Sequence, residues 1–125
     1  MLNITFERFS QIPQKYSLIE NFLYDKTVAD EDTIYYVKLA VYELAGNILK
    51  HSKSKANLVL MCEGDIIRIY LSGSNSFELK KISLPPKTCE CGRGIYLVKK
   101  ISETMEYYNG GKDVCVCIKC KHKID

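Results

Sequence analysis

The longest segment with a helical period of hydrophobic residues covers residues 37–52. Its apolar residues recur at spacings of three and four, which is typical of the core-facing side of a helix. This stripe consists of Val37, Val41, Leu44 and Ile48. The other sides also carry large apolar residues, namely Leu39, Tyr42 and Leu49. A helix that is apolar over most of its girth is expected to be covered on more than one side.

A polar row runs beside this stripe. Glu43, Asn47 and His51 follow one another at intervals of four, so each is rotated by about 40° from the last and all lie on one side of the helix. Polar groups on a largely buried helix need partners, because leaving one unpaired costs about 1–3 kcal/mol. One interpretation is structural: Glu43 pairs with a nearby lysine and Asn47 caps a neighbouring loop. The other is a site in which Asn47 offers its oxygen to a hard cation and Glu43 acts as a base.

Two elements are predicted before the long helix. Alternation of apolar and polar residues over 2–6 predicts a half-buried strand, and helical spacing over 13–25 predicts a helix. The polar connection that follows offers Asp30 or Asp32 as a cap for the long helix.

Two hairpins are predicted after the long helix. Their strands are 56–62 with 66–71, joined by residues 63–65, and 104–108 with 113–121, joined by residues 109–111. In the last strand Val114, Val116 and Ile118 share one face, and Cys115 and Cys117 fall on the other.

Between the hairpins, residues 77–91 show no sustained period and contain Pro85-Pro86, which predicts a long mobile loop that serves as a lid. Gly92-Arg93-Gly94 then opens a second amphipathic helix, and glycines at a helix start suit that end to phosphate. Its predicted inward residues are Ile95, Leu97, Val98 and Ile101. Its predicted solvent-facing residues are Lys99, Lys100 and Glu103.

Composition restricts the function classes. A chain of 125 residues with 46% hydrophobic and 26% charged residues is typical of one globular domain. Its formal charge of +3 is too small to indicate nucleic-acid binding. No signal-peptide pattern opens the chain and no window has the ~18 apolar residues of a membrane span. We therefore expect a cytoplasmic protein that keeps its six cysteines as thiols.

Two cysteine clusters leave other interpretations open. Cys89-x-Cys91 and Cys115-x-Cys117-x-x-Cys120, with His122 nearby, hold enough soft ligands for a tetrahedral metal site. Cys115 and Cys117 on one strand would need a further ligand from Cys120 or the lid. A redox-sensitive lid is another interpretation of the first pair, and thiols packed on a sheet face and in a loop are the simplest.

Three features stand in a fixed order: E-x-x-x-N-x-x-x-H on a helix (Glu43, Asn47, His51), a flexible loop, and G-R-G-I opening a second helix, followed by a G-G-x-x-V hairpin. This set resembles the GHKL, or Bergerat-type, ATPase family shared by histidine kinases, gyrase-type topoisomerases and Hsp90 chaperones. Within it, the chain is most similar to the small bacterial anti-sigma-factor serine/threonine kinases. The resemblance covers nearly the whole chain.

The resemblance implies a two-layer α/β sandwich in which helices cover one face of a mixed, mostly antiparallel sheet. Residues 1–125 would form a single domain, with the lid at about 77–91 and ATP bound between the long helix and the lid. Asn47 would bind the Mg²⁺ that bridges the phosphates, and Glu43 would polarise the attacking hydroxyl of a protein serine. The nucleotide-binding residues implied are Asn47, Lys50, His51, Ser72, Ser74, Ser76, Gly92, Arg93, Gly94, Ile95 and Lys112.

The chain departs from the family where adenine is recognised. A D-x-G-x-G loop usually supplies an Asp for the adenine amino group, and here the same place is Ser72-Gly73-Ser74-Asn75-Ser76. A supporting Thr at the start of the last strand is replaced by Lys112. Losing one charge-assisted hydrogen bond costs about 1.5–3 kcal/mol, or roughly 10- to 100-fold in affinity. Weakened ATP binding is therefore expected.

The function implied is an ATP- and Mg²⁺-binding regulator that sequesters a sigma factor and phosphorylates an antagonist protein on serine. Its partners would be proteins, with no direct nucleic acid and no membrane, and the family suggests a homodimer. The alternative is a non-catalytic protein-binding module of the same fold with a degenerate nucleotide pocket.

Overall fold

The computed structural model describes residues 1–27, 29–51, 55–73, 81–82, 92–109 and 112–120. They form one sheet with helices packed on one face, which confirms the predicted two-layer sandwich. The helices are α1 (Gln11–Gln14), α2 (Tyr16–Lys26), α3 (Glu31–His51) and α4 (Gly92–Ile101). The strands are β1 (Leu2–Phe6), β2 (Ala56–Glu63), β3 (Ile66–Ser72), β4 (Lys81–Ile82), β5 (Thr104–Tyr108) and β6 (Asp113–Lys119).

The sheet has six strands in the order β1-β2-β3-β6-β5-β4. Every strand pairing among the described residues is antiparallel. The resemblance implied a mixed, mostly antiparallel sheet, and the described strands include no parallel pair. Strand β6 lies between β3 and β5. Its residue Cys115 is paired with Tyr70 of β3 on one side and with Glu106 of β5 on the other. Both predicted hairpins are confirmed.

One hydrophobic core lies between the sheet and the helices. Alternate strand residues such as Leu60, Ile69 and Val116 are fully buried in it, together with Val37 and Val41 of α3. Because side chains alternate along a strand, Arg68, Cys115 and their neighbours of the same parity lie on the opposite face. All four described helices contribute residues to the core on the first face.

The long helix begins at Glu31, earlier than the apolar stripe alone indicates. Asp30 caps it: the backbone N–H of Thr33 donates to Asp30 Oδ1 at 2.9 Å, and the Thr33 hydroxyl donates to the same oxygen at 2.6 Å. A side-chain oxygen at this position satisfies an N–H that has no partner inside the helix. Of the two candidate caps, Asp30 is the one used.

The region predicted as one helix over 13–25 is two helices, α1 and α2. Lys15 separates them with φ −104° and ψ 9°, outside the helical region. Ile12, Ile19 and Leu23 nevertheless reach the common core, so both helices pack on the sheet side of the molecule.

In α4 the prediction of the buried face was partly wrong. Val98 is fully buried and Ile95 and Ile101 pack partly against the core, but Leu97 is 42% exposed. In a helix of this length only one narrow stripe reaches the sheet, and Leu97 lies beside it. Lys99 and Lys100 are exposed, as predicted.

The segment 77–91 was predicted to be a loop throughout. Lys81–Ile82 instead form the short edge strand β4, which pairs with Tyr107 and Tyr108 of β5. The other residues of the predicted lid lie outside the described part of the chain. Within the described part, none of the helices combines the length and the apolar character needed to cross a membrane.

Candidate functional site

The polar row of α3 is the starting point of the site. Glu43 and Asn47 are both half-buried, one helical turn apart on the same side of α3. Neither has a hydrogen bond or ion pair with any of the residues that the structure describes. The nearest lysine along the helix, Lys38, pairs with Glu20 at 3.0 Å and stacks its ammonium on Tyr16. The structural interpretation, in which Glu43 pairs with a lysine, is therefore not realised among the described residues.

The start of α4 closes over this row. A Cβ atom built on Gly94 would overlap the Glu43 carboxylate, and it would lie 3.1 Å from Glu43 Cγ. Only a residue without a side chain allows the two helices to approach this closely. The glycine of the G-R-G sequence thus brings a carboxylate against the first turn of a helix, where unpaired backbone N–H groups favour negative charge.

A second close approach lies on the same helix, at Gly46. A Cβ built there would lie 2.8 Å from the ring of Phe9, which covers this point of α3. Phe9 also packs edge-on against Tyr42, with ring centroids 6.5 Å apart. Both rings are more than 40% exposed, so an aromatic surface borders the site.

Tyr16 is a neighbour that the sequence did not single out. Burial raises the pKa of its hydroxyl, and the nearby Tyr42, Glu43 and Tyr35 raise it further. The negative charge of Glu43 is therefore one of the electrostatic influences on the Tyr16 phenol.

The other residues predicted to bind nucleotide are distributed as follows. Lys50 is exposed on the last turn of α3, and Ile95 is half-buried next to Gly94. His51, Gly92 and Arg93 belong to the ends of α3 and α4, but their side chains lie outside the described part. Ser74 and Ser76 also lie outside it. Their predicted roles remain predictions.

Ser72 makes a contact that was not expected. It lies opposite Asp113 across the β3–β6 ladder, and its hydroxyl donates to Asp113 Oδ1 at 2.7 Å. The backbone N–H of Gly73 donates to the same oxygen at 3.2 Å, and the side-chain amide of Asn109 donates to Asp113 Oδ2. Asp113 is fully buried. Its carboxylate therefore ties the end of β3 to the turn before β6.

Ser72 and Asp113 lie on the face of the sheet opposite to the hydrophobic core. Their neighbours along the strands, Leu71 and Val114, face the helices. Because side chains alternate along a strand, Ser72 and Asp113 point to the same face as Arg68 and Cys115. Lys112 is exposed, and its carbonyl accepts a hydrogen bond from the Gly73 N–H at 3.1 Å. The predicted adenine contacts at Ser72 and Lys112 remain untested.

Comparison with known families settles the relationship of the chain. A family model described as "Histidine kinase-like ATPase domain" matches residues 9–119. The chain belongs to this family. Histidine kinase-like ATPase domains are ATP-binding units, and the match includes Glu43, Asn47 and Gly94. Among curated proteins, none matches the chain significantly.

The site fits the Mg²⁺ that accompanies ATP in such domains. A half-buried amide without a partner among the described residues has a side-chain oxygen available, and hard cations prefer oxygen ligands. Asn47 would hold the ion through that oxygen. No cluster of three or more metal-binding His, Cys, Asp or Glu side chains occurs in the described ranges, so a cation here would rely on the nucleotide for most of its ligands.

Among the described cysteines, Cys115, Cys117 and Cys120 do not meet at one tetrahedral site. Cys120 lies in the core, where its N–H donates to the Asp65 carbonyl at 2.6 Å, while Cys115 and Cys117 lie on the other face of the sheet. Burial, followed by the neighbouring Cys117, raises the pKa of Cys115 to about 12. Cys89 and Cys91 lie outside the described residues.

Proposed function

We propose that this histidine kinase-like ATPase domain binds ATP and Mg²⁺, sequesters a sigma factor, and transfers the γ-phosphoryl group to a serine of an antagonist protein. The proposal takes its partner classes from the resemblance to anti-sigma-factor kinases. A cytoplasmic location and a homodimer belong to the same proposal.

One observation carries it. Glu43 and Asn47 are half-buried on α3 and have no partner among the described residues, and Gly94 admits the Glu43 carboxylate to the start of α4. A partly buried carboxylate without a cationic partner among the described residues costs stability, and a role in chemistry explains its presence best.

The residues act as follows in this proposal. The serine hydroxyl attacks the γ-phosphorus, the bond from that phosphorus to the bridging oxygen breaks, and ADP leaves. Glu43 accepts the hydroxyl proton. Asn47 would hold Mg²⁺, which neutralises charge on the phosphates when bound. The backbone N–H groups at the start of α4 favour the phosphate charge.

Titration with ATP and Mg²⁺ tests the binding step. We expect saturable binding by the wild-type protein at millimolar ATP and its loss in Asn47→Ala. Asn3→Ala, which removes an exposed amide from β1, is the matched control and should bind like wild type. Absence of binding by the wild-type protein would overturn the proposal.

A second experiment separates binding from chemistry. Glu43→Gln keeps the shape of the side chain but removes its basicity, so ADP release should fall at least about 100-fold while ATP affinity changes little. Glu31→Gln, in the exposed first turn of α3, should have wild-type activity. Equal rates for Glu43→Gln and wild type would rule out Glu43 as the base.

One observation favours the alternative of a non-catalytic module. The Ser72 hydroxyl is hydrogen-bonded to Asp113, and Ser72 lies on the face of the sheet opposite to the hydrophobic core. In this alternative, the protein binds its protein partner through the same fold but does not bind ATP. Binding of a protein partner without saturable ATP binding identifies it.

A further inference from the structure

Two thiols lie side by side on the face of the sheet opposite to the helices. Cys115 and Cys117 are two residues apart on β6, so both point to the same face of the sheet. They are 7% and 8% exposed. Neither belongs to the hydrophobic core or to the row of polar residues on α3. This pair has no part in the proposed ATP chemistry.

A guanidinium group is directed at the pair from the neighbouring strand. Arg68 lies opposite Cys117 across the β3–β6 ladder, and its Nη1 donates to Cys117 Sγ at 3.6 Å. The buried Arg68 Nε lies 3.4 Å from Glu63 Oε1 but has no partner of hydrogen-bond geometry among the described residues. Glu63 is 59% exposed, so solvent screens that ion pair. The positive charge of Arg68 is therefore only partly compensated by Glu63 and can stabilise a negatively charged sulfur at Cys117.

The spacing is close to the limit for an unstrained disulfide. Two residues along a strand are about 6.6 Å apart at Cα, near the upper end of the range that a disulfide spans without strain. Forming the bond would distort β6, which pairs with strands on both sides. A metal ion bound between the two sulfur atoms needs no such movement, because a sulfur–metal–sulfur link is longer than a sulfur–sulfur bond.

The ligand count and charge select the class of ion. Zinc requires four ligands, and no group of three or more suitable side chains is found in the described ranges. Thiolates select soft ions such as Cu(I). Two thiolates with a monovalent cation carry a net charge of −1, which Arg68 neutralises, whereas a divalent ion would leave the Arg68 charge uncompensated.

We propose that Cys115 and Cys117 form a two-coordinate site for a soft monovalent metal ion, with Cu(I) as the physiological type. Each thiol releases its proton to solvent as its sulfur–metal bond forms, and no oxidation state changes. Arg68 positions Cys117 and balances the charge of the bis-thiolate complex.

Anaerobic titration with Cu(I) against a chromogenic Cu(I) chelator tests the site, with Ag(I) as a probe that resists oxidation. The background is Cys89→Ser/Cys91→Ser, which removes the other Cys-x-Cys sequence of the chain. We expect one equivalent of Cu(I) in this background and loss of that equivalent when Cys115→Ser/Cys117→Ser is added. Retention of the equivalent without Cys115 and Cys117 would overturn the proposal.

Two further measurements cover the case in which the multiple variant folds poorly. X-ray absorption of the Cu(I)-loaded background protein should give two sulfur ligands, and three or more would contradict a two-coordinate site. Arg68→Met should weaken Cu(I) binding at least 10-fold, while Arg68→Lys, which keeps the charge, should bind within about 3-fold of the background. Equal affinity for Arg68→Met and Arg68→Lys would exclude the charge-balancing role.

Discussion

The Glu43 carboxylate lies against the α-carbon of Gly94, at the point where α3 and α4 meet. The two residues come from distant parts of the chain, yet the position of one depends on the missing side chain of the other. The G-R-G sequence therefore does more than open a helix: its second glycine leaves the space that the proposed base occupies.

Substituting Gly94 by alanine should displace the Glu43 carboxylate, because a Cβ atom cannot share its place. If Glu43 is the base, a shift of about 1 Å reduces the rate roughly 100-fold. We expect ADP release by Gly94→Ala to fall by about that factor, while ATP affinity falls less. Steady-state kinetics measure both. A wild-type rate in Gly94→Ala would show that Glu43 does not need this position.

Gly46→Ala should behave differently, because the neighbour that must move is the Phe9 ring, which is 46% exposed. Alanine stabilises a helix interior by about 1 kcal/mol relative to glycine. Displacing Phe9 offsets part of this gain, so the free energy of unfolding should change by less than about 1 kcal/mol. In a Phe9→Leu background the substitution should be more stabilising. Urea unfolding of all four proteins measures the coupling between the two residues, and a coupling of zero would contradict the contact.

Asp113→Asn should destabilise the fold. The buried carboxylate accepts hydrogen bonds from Ser72, Gly73 and Asn109, and an asparagine side chain replaces one acceptor oxygen by an N–H donor. Hydrogen bonds to a charged group contribute about 1.5–3 kcal/mol each, so we expect a loss of about 3 kcal/mol in urea unfolding. Asp25→Asn, on the exposed end of α2, should change stability by less than about 0.5 kcal/mol. Equal effects of the two substitutions would refute the role of Asp113.

Stability should fall at alkaline pH. Burial raises the pKa values of Cys62 and Cys120 above the usual 9.0. The unfolded state then loses its thiol protons at lower pH than the folded state, so the stabilisation is complete below pH 9.0 and is lost as the pH rises through the raised values. Urea unfolding as a function of pH should show a smaller alkaline decline in Cys62→Ala/Cys120→Ala.

The control for this effect is Tyr24→Phe, which removes an exposed phenol. Its alkaline decline should match that of wild type. If the cysteine variant declined as steeply as wild type and Tyr24→Phe, burial of these thiols would not be the cause.

The sequence predicted the elements well because each has a local cause. The spacing of apolar residues in α3, the alternation in β6 and the turn at Gly64, with φ +60°, are set by residues close together in the chain. The start of α3 at Glu31 follows from Asp30, one of the two caps that the sequence offered, because the apolar stripe alone begins only at Val37. Leu97 was misplaced because the pattern gives the width of the buried stripe only approximately.

The site was predicted in part for the same reason. Glu43 and Asn47 share a helix, so their proximity follows from helical geometry. The contact of Glu43 with Gly94, the cover of Gly46 by Phe9 and the pairing of Ser72 with Asp113 all join distant segments. Such contacts depend on strand register and helix packing, which a single sequence does not specify.

The position of β6 has a consequence for synthesis of the protein. This strand lies between β3 and β5, so the sheet is divided into two unconnected parts until residues 113–119 are in place. Ribosomes deliver a chain from its amino terminus, and the edges of β3 and β5 that await β6 therefore remain open during translation. Slow release of this strand would favour aggregation of the nascent chain, because two open strand edges can pair with other chains in the meantime.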